Sequence, residues 1–281
     1  MNHKMIQKQS LILGAIFVAV FGFVFSQVII NLFKLWYTSE DYSHGFFVLP
    51  LCFFIIWQKK EKLSQIQIKG SWVGLIITLF ALFAYFIAVV AYIETLRPLS
   101  MLIFIVGALI FLFGFPLFKE LLFPIFILFF MIPIPSELVS AATINLQLVV
   151  STISSSIVSL LGVPLLREGN VIHLPEKTLQ VVRACSGMRS LISLLLLSAV
   201  FGYFTLRSNF LRILLFVSGI PVAIIVNIVR VCILITFIHF FGIDLSHGTI
   251  HTIFGVGVFL LALVLLMMIK KIFDRWDYHE T

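Results

Sequence analysis

The sequence predicts an all-α polytopic membrane protein with about eight transmembrane helices. Of its 281 residues, 61% are hydrophobic, 11% are charged and 31 are phenylalanines. A soluble domain does not bury so much apolar surface, and the apolar runs are long and continuous, unlike the short alternating strands of a membrane barrel. The basic residues form short clusters between these runs. The net charge of +7 is therefore read as loop charge that sets the topology, and no nucleic-acid partner is expected.

Eight apolar runs are predicted to cross the roughly 30 Å of hydrocarbon, at about 1.5 Å per helical residue. The longer runs cover residues 11–33, 71–93, 98–118, 187–206, 213–241 and 251–269, and two shorter ones cover 45–58 and 121–134. The first run is too long for the apolar core of a signal peptide and has no cleavage site. It is therefore predicted to be the first span.

Clusters of lysine and arginine orient these spans. They lie at the N-terminus, in the 59–70 loop, in the 207–212 connection and in the 270–281 tail. The positive-inside rule places all four clusters on the cytoplasmic side. The run 45–58 must then be a full crossing, both termini are inside, and the chain forms one integral membrane domain over residues 1–281 with a cytoplasmic tail.

Segment 135–186 is predicted to be an extracytoplasmic insertion. The runs 121–134 and 187–206 already supply the outward and inward crossings on either side of it, so residues 136–162 are not expected to be a further simple span. Their mixture of apolar residues with Ser, Thr, Asn and Gln is typical of an amphipathic helix on the outer face or of a re-entrant element.

The rest of the insertion, VPLLREGNVIHLPEKTLQVV, alternates between apolar and polar residues. A Gly169–Asn170 pair interrupts the alternation, as in a two-residue hairpin turn. This stretch therefore predicts a small β-hairpin before the sixth span.

Cys185, in VVRACSGMRSL, lies at the outer entrance of the sixth span. A free cysteine is often only a small buried residue, but two arginines, Arg183 and Arg189, flank this one, and nearby cations lower the pKa of a thiol and make it nucleophilic. Cys52 and Cys232 lie inside apolar runs and are expected to be core residues. Three cysteines form no even-numbered disulfide framework.

Arg230 lies inside the seventh span, in PVAIIVNIVRVCIL, roughly three turns before its outer end. A charged side chain inside a span is costly and is a functional candidate by default, although it can also snorkel or pair with a lipid phosphate. Asn227 is three residues earlier on the same helix face and can orient the guanidinium.

Three histidines are predicted to lie at the outer level. His251 opens the eighth span, and His44, in DYSHGFF, opens the second; a lone histidine at a span end is commonly an interfacial anchor. His247 and His251 are four residues apart and could ligate zinc, but no helical Glu accompanies them as in the metalloprotease pattern. No metal and no cofactor are expected.

Thiol, imidazole and guanidinium fit one reaction. A thiolate attacks a carbonyl, a histidine takes and returns the proton, and an arginine stabilises the oxyanion or a substrate carboxylate. Together, Cys185, His251 and Arg230 therefore predict acyl transfer through a cysteine thioester.

At these positions the sequence resembles the exosortase/archaeosortase family of membrane cysteine transpeptidases. The resemblance rests on five stretches: DYSHGFFVLP, GVPLLREGNVIHLP, ACSGMRSL, PVAIIVNIVRV and HTIFG. It implies that Cys185 is the nucleophile, Arg230 the stabiliser of the transition state or substrate, and His251 the acid/base. Family members often carry an acidic residue two positions before the cysteine, where this chain has Arg183.

The resemblance also implies the substrate and the location. The substrates are secreted proteins with a C-terminal sorting signal, made of a short motif such as Pro-Glu-Pro, a hydrophobic helix and a basic cluster. A cysteine protease-transpeptidase of the bacterial inner membrane would cleave this signal at the outer face. It would then transfer the new C-terminus to a cell-surface acceptor of unknown identity, with hydrolysis as the other outcome.

Two other functions remain open from the residues alone. A transporter of envelope polysaccharide or of a lipid-linked precursor could use Arg230 and His251 to bind an anionic headgroup. A non-enzymatic assembly factor could use its polar residues to hold helices together. Only the enzyme gives Cys185 a chemical role.

Overall fold

The computed structural model describes residues 17–181, 187–245 and 248–277, apart from the side chains of residues 40, 187–189, 248–249, 251–252 and 275–277. The chain divides into two compact units, Met1–Ile134 and Pro135–Thr281. The boundary between them falls at the start of the segment that the sequence sets apart as an insertion.

The first unit is helical. Its described elements are α1 (Phe17–Val24), α2 (Ser26–Thr38), α3 (Gly45–Gln58), α4 (Lys60–Ser64), α5 (Trp72–Val90), α6 (Leu96–Phe113), α7 (Phe115–Glu120) and α8 (Leu122–Leu128), with short 3-10 helices at Glu40–Tyr42 and Phe129–Met131. The apolar run predicted as the first span is a bent pair, because α1 and α2 meet at an angle of 63°.

Helices α5 and α6 pack closely through glycines. A Cβ atom on Gly74 would lie 2.1 Å from the backbone nitrogen of Phe111, and one on Gly107 would lie 2.7 Å from that of Thr78. Helices in membranes associate largely through van der Waals packing, which small residues improve by letting the backbones approach. These two glycines therefore set the spacing of the α5–α6 pair.

Helix α3 runs antiparallel to the segment that contains α7 and α8. At one end the Lys59 ammonium donates to the carbonyl of Glu120 at 2.7 Å, and at the other the His44 ring lies 2.8 Å from the carbonyl of Phe130. The 14 residues of α3 span about 21 Å, less than the usual hydrocarbon thickness. That both segments cross fully remains a prediction.

The lysine-rich loop is tied to the end of α7. The Glu120 carboxylate lies 2.8 Å from the Lys62 ammonium and 3.3 Å from that of Lys59. The hydrogen bond from Lys62 holds the pKa of Glu120 below its usual range, with Lys59 acting in the same direction and burial opposing both. This contact places the end of α7 beside the 59–70 loop, which the sequence predicts to be cytoplasmic.

The second unit combines four helices with a small sheet. Its described elements are α9 (Ser136–Leu160), β1 (Leu166–Glu168), β2 (Val171–His173), β3 (Thr178–Gln180), α10 (Gly187–Thr205), α11 (Asn209–Phe241) and α12 (Gly248–Asp277). The strands are antiparallel in the order β1-β2-β3. The predicted hairpin around Gly169 and Asn170 is confirmed, and β3 is a third strand that the sequence did not predict.

Helix α9 has a polar buried side and an apolar exposed side. Its buried polar residues are Gln147, Ser151, Ser154 and Ser155, and its exposed apolar residues include Leu138, Ile144, Ile153 and Leu160. This is the reverse of a helix on a soluble protein, and it suits a helix whose outer side faces lipid. The two different sides of α9 agree with the amphipathic helix predicted from the sequence. However, its 25 residues, about 37 Å, also satisfy the length of a span, so its position on the outer face remains a prediction.

The predicted fold class is confirmed. Five of the described helices are long and apolar enough to cross a membrane, or six if the bent pair is one span: α5, α6, α9, α11 and α12, with α1–α2 as the sixth. Three shorter apolar segments, at Gly45–Gln58, Leu122–Met131 and Ser190–Thr205, accompany them. The count of eight spans remains a prediction.

Replacing Gly74 by alanine is expected to destabilise the protein by about 1–3 kcal/mol, because the new methyl group would overlap the α6 backbone. The measurement is the thermal unfolding midpoint in detergent, followed by intrinsic tryptophan fluorescence. Gly257→Ala is the control, since a Cβ atom there meets nothing within 4 Å. Equal midpoints for the two variants would contradict the account of the α5–α6 contact.

Candidate active site

The candidate site is built around a charge buried in α11. This helix has 33 residues, mostly apolar, and Arg230 is 8% exposed within it while Asn227 is 2% exposed. Neighbouring positions Val226 and Val231 are buried as well. A charge in such surroundings loses several kcal/mol of hydration free energy, and apolar contacts with its neighbours do not compensate for this loss.

Asn227 faces the first turn of α10. Its amide nitrogen lies 3.5 Å from the hydroxyl of Ser190, at the outer limit of a hydrogen bond. Ser190 is the fifth residue after Cys185, so their Cα atoms lie at most about 18 Å apart. The fold therefore brings the buried polar pair of α11 to the beginning of the helix that follows Cys185.

Ser190 was not predicted as a site residue. It occurs in ACSGMRSL, but a serine in the first turn of a helix is so common that its type alone gives no reason to select it. Its position opposite Asn227 comes only from the packing of α10 on α11. That packing is close: a Cβ atom on Gly219 would lie 2.8 Å from the Ser198 hydroxyl.

Helix α9 contacts α11 on both sides of Arg230 along the chain. The Ser154 hydroxyl donates to the Ile228 carbonyl at 3.4 Å, and the Cys232 thiol lies 3.9 Å from the Ser154 carbonyl. Ser154 of α9 therefore provides polar contacts between the two helices, at the level of α11 where Arg230 is buried.

Cys52 and Cys232 both serve packing. The Cys52 side chain is 5% exposed, and its thiol donates to the Pro124 carbonyl at 3.3 Å, whereas Cys232 approaches α9 as described above. Each sulfur contacts the backbone of a neighbouring helix. This agrees with the interpretation of both residues as membrane core.

The sheet is anchored to the last turns of α11. Ile172, Leu179 and Val181 belong to the same buried cluster as Val231 and Leu234. Two polar contacts reinforce this packing from the loop between β2 and β3: Glu176 lies 2.9 Å from the His239 ring, and Lys177 forms an ion pair with Asp244. The sequence did not predict these pairs, because their members lie more than 60 residues apart.

The turn of the β-hairpin is held by α9. The Asn170 amide donates to the Gln147 side-chain oxygen at 2.9 Å, and the Ser151 hydroxyl donates to the Gly169 carbonyl at 3.0 Å. Buried polar groups of α9 thus find partners in the turn, which lowers the cost of removing them from water. The sheet is held between α9 and α11.

His44, in the first unit, holds the Phe129–Met131 segment. Its Nε2 lies 2.8 Å from the Phe130 carbonyl, so Nε2 carries the hydrogen and donates, and the Trp36 indole donates to the Met131 carbonyl at 3.3 Å. A Cβ atom on Gly45 would lie 2.4 Å from the indole nitrogen of Trp36. The Ser-His-Gly segment therefore has a structural role, and the supporting role of His44 in the site remains a prediction.

Several predicted site residues lie wholly or partly outside the described part of the chain. Cys185, Arg183 and His247 are outside it altogether. Arg189 lies in the first turn of α10 and His251 in the first turn of α12, but their side chains are not described. The catalytic roles of Cys185 and His251 therefore remain predictions.

These features define a polytopic helical membrane protein whose buried polar site lies next to a small sheet. A model of the transmembrane exosortase family matches residues 36–268, and the chain belongs to that family. The match includes His44, Cys185, Arg230 and His251. Family membership gives the chain a role of the membrane transpeptidase type. No curated protein and no solved structure matched the chain.

Arg230→Met is expected to lower transpeptidase activity by about a hundredfold or more, because the change removes one charged donor from a desolvated site. The protein should remain folded, because an apolar side chain of similar length replaces the buried charge. Arg230→Lys should lose about tenfold or more, since an ammonium lacks the planar fork of a guanidinium. Initial rates of substrate processing and gel-filtration profiles provide the two readouts.

The matched control is Arg212→Lys, at an arginine that donates to the Leu206 carbonyl and the Asn209 side chain near the start of α11. It should process substrate at nearly the wild-type rate. A wild-type rate for Arg230→Met would remove Arg230 from the site.

Proposed function

We propose that the protein is a cysteine protease-transpeptidase of the bacterial inner membrane, which cleaves the C-terminal sorting signal of secreted proteins at the outer face. The observation that carries the proposal is the buried Arg230–Asn227 pair, held opposite the first turn of the helix that follows Cys185. A guanidinium kept out of water at this place suits a reaction in which negative charge develops nearby.

In the first half of the reaction, the Cys185 thiolate attacks the carbonyl carbon of the scissile peptide bond. A carbon–sulfur bond forms, the carbonyl electrons move to oxygen, and Arg230 stabilises the oxyanion. His251 gives a proton to the departing amine as the carbon–nitrogen bond breaks. The product is a thioester between Cys185 and the substrate.

In the second half, an acceptor nucleophile loses its proton to His251 and attacks the thioester carbonyl. The carbon–sulfur bond then breaks and the thiolate is restored. With a cell-surface acceptor the reaction is transpeptidation, and with water it is hydrolysis. The same carbonyl oxygen becomes an oxyanion in each half, and Arg230 stabilises it both times.

The remaining residues have supporting roles in this proposal. Asn227 orients the Arg230 guanidinium from three residues away on the same helix face. Arg183 and Arg189 lower the pKa of the Cys185 thiol by their charge. His44 and His247 support the binding of the substrate.

Membrane topology explains why the substrate has three parts. The hydrophobic helix of the sorting signal lies in the bilayer, and its basic cluster stays inside by the positive-inside rule. The cleaved motif is then presented at the outer face, where segment 135–186 and Cys185 are proposed to lie. The bilayer is thus a partner that fixes the depth of the scissile bond.

Cys185→Ala is expected to abolish processing of a candidate sorting-signal substrate, because no thioester forms without the thiol. Cys52→Ala and Cys232→Ala should retain activity, since these two thiols contact neighbouring helix backbones. Cleavage is followed by gel mobility and the thioester by mass spectrometry after acid quenching.

Full processing by Cys185→Ala would exclude the thiol as nucleophile. The polysaccharide or lipid-linked precursor transporter would then be the better interpretation. Binding of an anionic lipid-linked precursor that is lost in Arg230→Met would support that function.

Arg183→Ala is expected to shift the pH midpoint of Cys185 alkylation upward by about one unit, because removal of a nearby cation disfavours the thiolate. The measurement uses a membrane-impermeant maleimide added from the outside, in a variant in which Cys52 and Cys232 are replaced. Arg167→Ala is the control, at an exposed arginine of β1. Identical midpoints in all three proteins would exclude this role of Arg183.

A further inference from the structure

Strand β3 has a free edge whose backbone groups can be identified from the register. Val181 donates to the Asn170 carbonyl and Leu174 to the Lys177 carbonyl, both at 3.0 Å. Alternate residues of an antiparallel strand face the same partner, so Leu179 also bonds to β2. The N–H and C=O groups of Thr178 and Gln180 therefore point away from β2, and no strand in the described part of the chain pairs with them.

The other edge of the sheet, formed by β1, differs in its side chains. There the backbone N–H and C=O groups of Arg167 point outward, because Ile172 opposite it bonds to β3, while Leu166 and Glu168 bond to β2. Charged residues on an edge strand discourage pairing with further strands. The β3 edge carries only Thr178 and Gln180, both exposed and uncharged, so it lacks this protection.

Strand β3 is also firmly positioned. Leu179, between the two outward-facing residues, is 5% exposed within the cluster that joins the sheet to α11, and Val181 after it is 1% exposed. The loop before the strand is fixed by the pairs of Glu176 with His239 and Lys177 with Asp244. An edge held in this way binds a new strand without a large ordering cost of its own.

The strand leads directly to the proposed nucleophile. Gln180 precedes Cys185 by five residues, so their Cα atoms lie at most about 18 Å apart. That distance is covered by five or six residues of an extended chain. A peptide paired with the β3 edge therefore has one end within reach of Cys185.

We propose that the β3 edge binds the extended part of the substrate next to the scissile bond by β-strand addition, with the backbone of Thr178 and Gln180 pairing with the substrate backbone. The inference rests on the function proposed above and specifies how the substrate is recognised. Main-chain hydrogen bonds supply affinity in this mode, and alternate substrate side chains supply specificity. The bound segment has a defined register, which fixes its scissile carbonyl relative to Cys185.

The first test alters the substrate and leaves the enzyme unchanged. The probe is a synthetic candidate sorting signal, with its extended motif and hydrophobic helix, in which single backbone amides near the cleaved bond are N-methylated in turn. Methylation removes the donor and blocks pairing on that side, so every second position should slow cleavage by about tenfold or more. The positions between them should be tolerated, because their amides face away from β3.

The second test alters the edge of the enzyme. Gln180→Pro removes an outward-facing N–H group without removing a bond to β2, and proline is tolerated at such edge positions. It should slow cleavage of the unmodified substrate about tenfold while the thermal unfolding midpoint stays close to that of the wild type. Arg167→Pro is the matched control, because it removes an outward-facing N–H group from the other edge and should cleave normally.

The outcomes separate the two proposals. Cleavage that depends on Cys185 but shows no two-residue period in the methylation series would overturn strand addition and leave the proposed function standing. Wild-type cleavage by Gln180→Pro would overturn it in the same way. If the unmodified signal is not cleaved in a Cys185-dependent manner, the proposed function fails and strand addition fails with it. Should Gln180→Pro not fold, the methylation series decides alone.

Discussion

The burial of the Arg230 charge in an apolar helix is the constraint on which the second unit depends. Arg230 is 8% exposed, and its guanidinium needs polar surroundings because the loss of hydration costs several kcal/mol. Polar groups are correspondingly concentrated on the neighbouring elements: Asn227 and Ser190 contact each other across α10 and α11, and the Ser154 hydroxyl reaches the α11 backbone beside Arg230. The buried charge of Arg230 is the chemical resource of the proposed site.

Helix α9 carries its polar residues on the inside, which is the arrangement expected of a helix whose outer side faces lipid. In water an amphipathic helix buries its apolar side, but in a bilayer the apolar side faces outward and the polar groups must find partners within the protein. Gln147 and Ser151 find theirs in the turn of the hairpin, and Ser154 finds one in α11. The same contacts that satisfy these groups also position the sheet, so the polar side of α9 and the geometry of the sheet are linked.

The sheet connects this packing to function. Its buried face is fixed on α11 by Leu179 and Val181, and its loop is fixed to the end of α11 by the Glu176–His239 contact and the Lys177–Asp244 ion pair. The chain from β3 then leads within five residues to Cys185. Arg230 is part of α11 and β3 packs on α11, so one helix positions both. In the proposed reaction this arrangement would keep Arg230 and the substrate in a constant relation while the thioester forms and breaks down.

The sequence by itself determined the helical membrane class, the bounds of most helices to within a few residues, the hairpin turn at Gly169 and Asn170, and Arg230 and Asn227 as an unusual pair in an apolar run. These are local properties, because hydropathy, turn chemistry and helical spacing act over a few residues. Only the tertiary structure decided that Ser190 faces Asn227, that α9 turns its serines inward, that a third strand forms, and that Glu176 meets His239. The third strand pairs with its neighbour β2 but packs on α11, and the other contacts join segments distant in sequence. Which segments meet depends on the packing of whole helices, which no local pattern encodes.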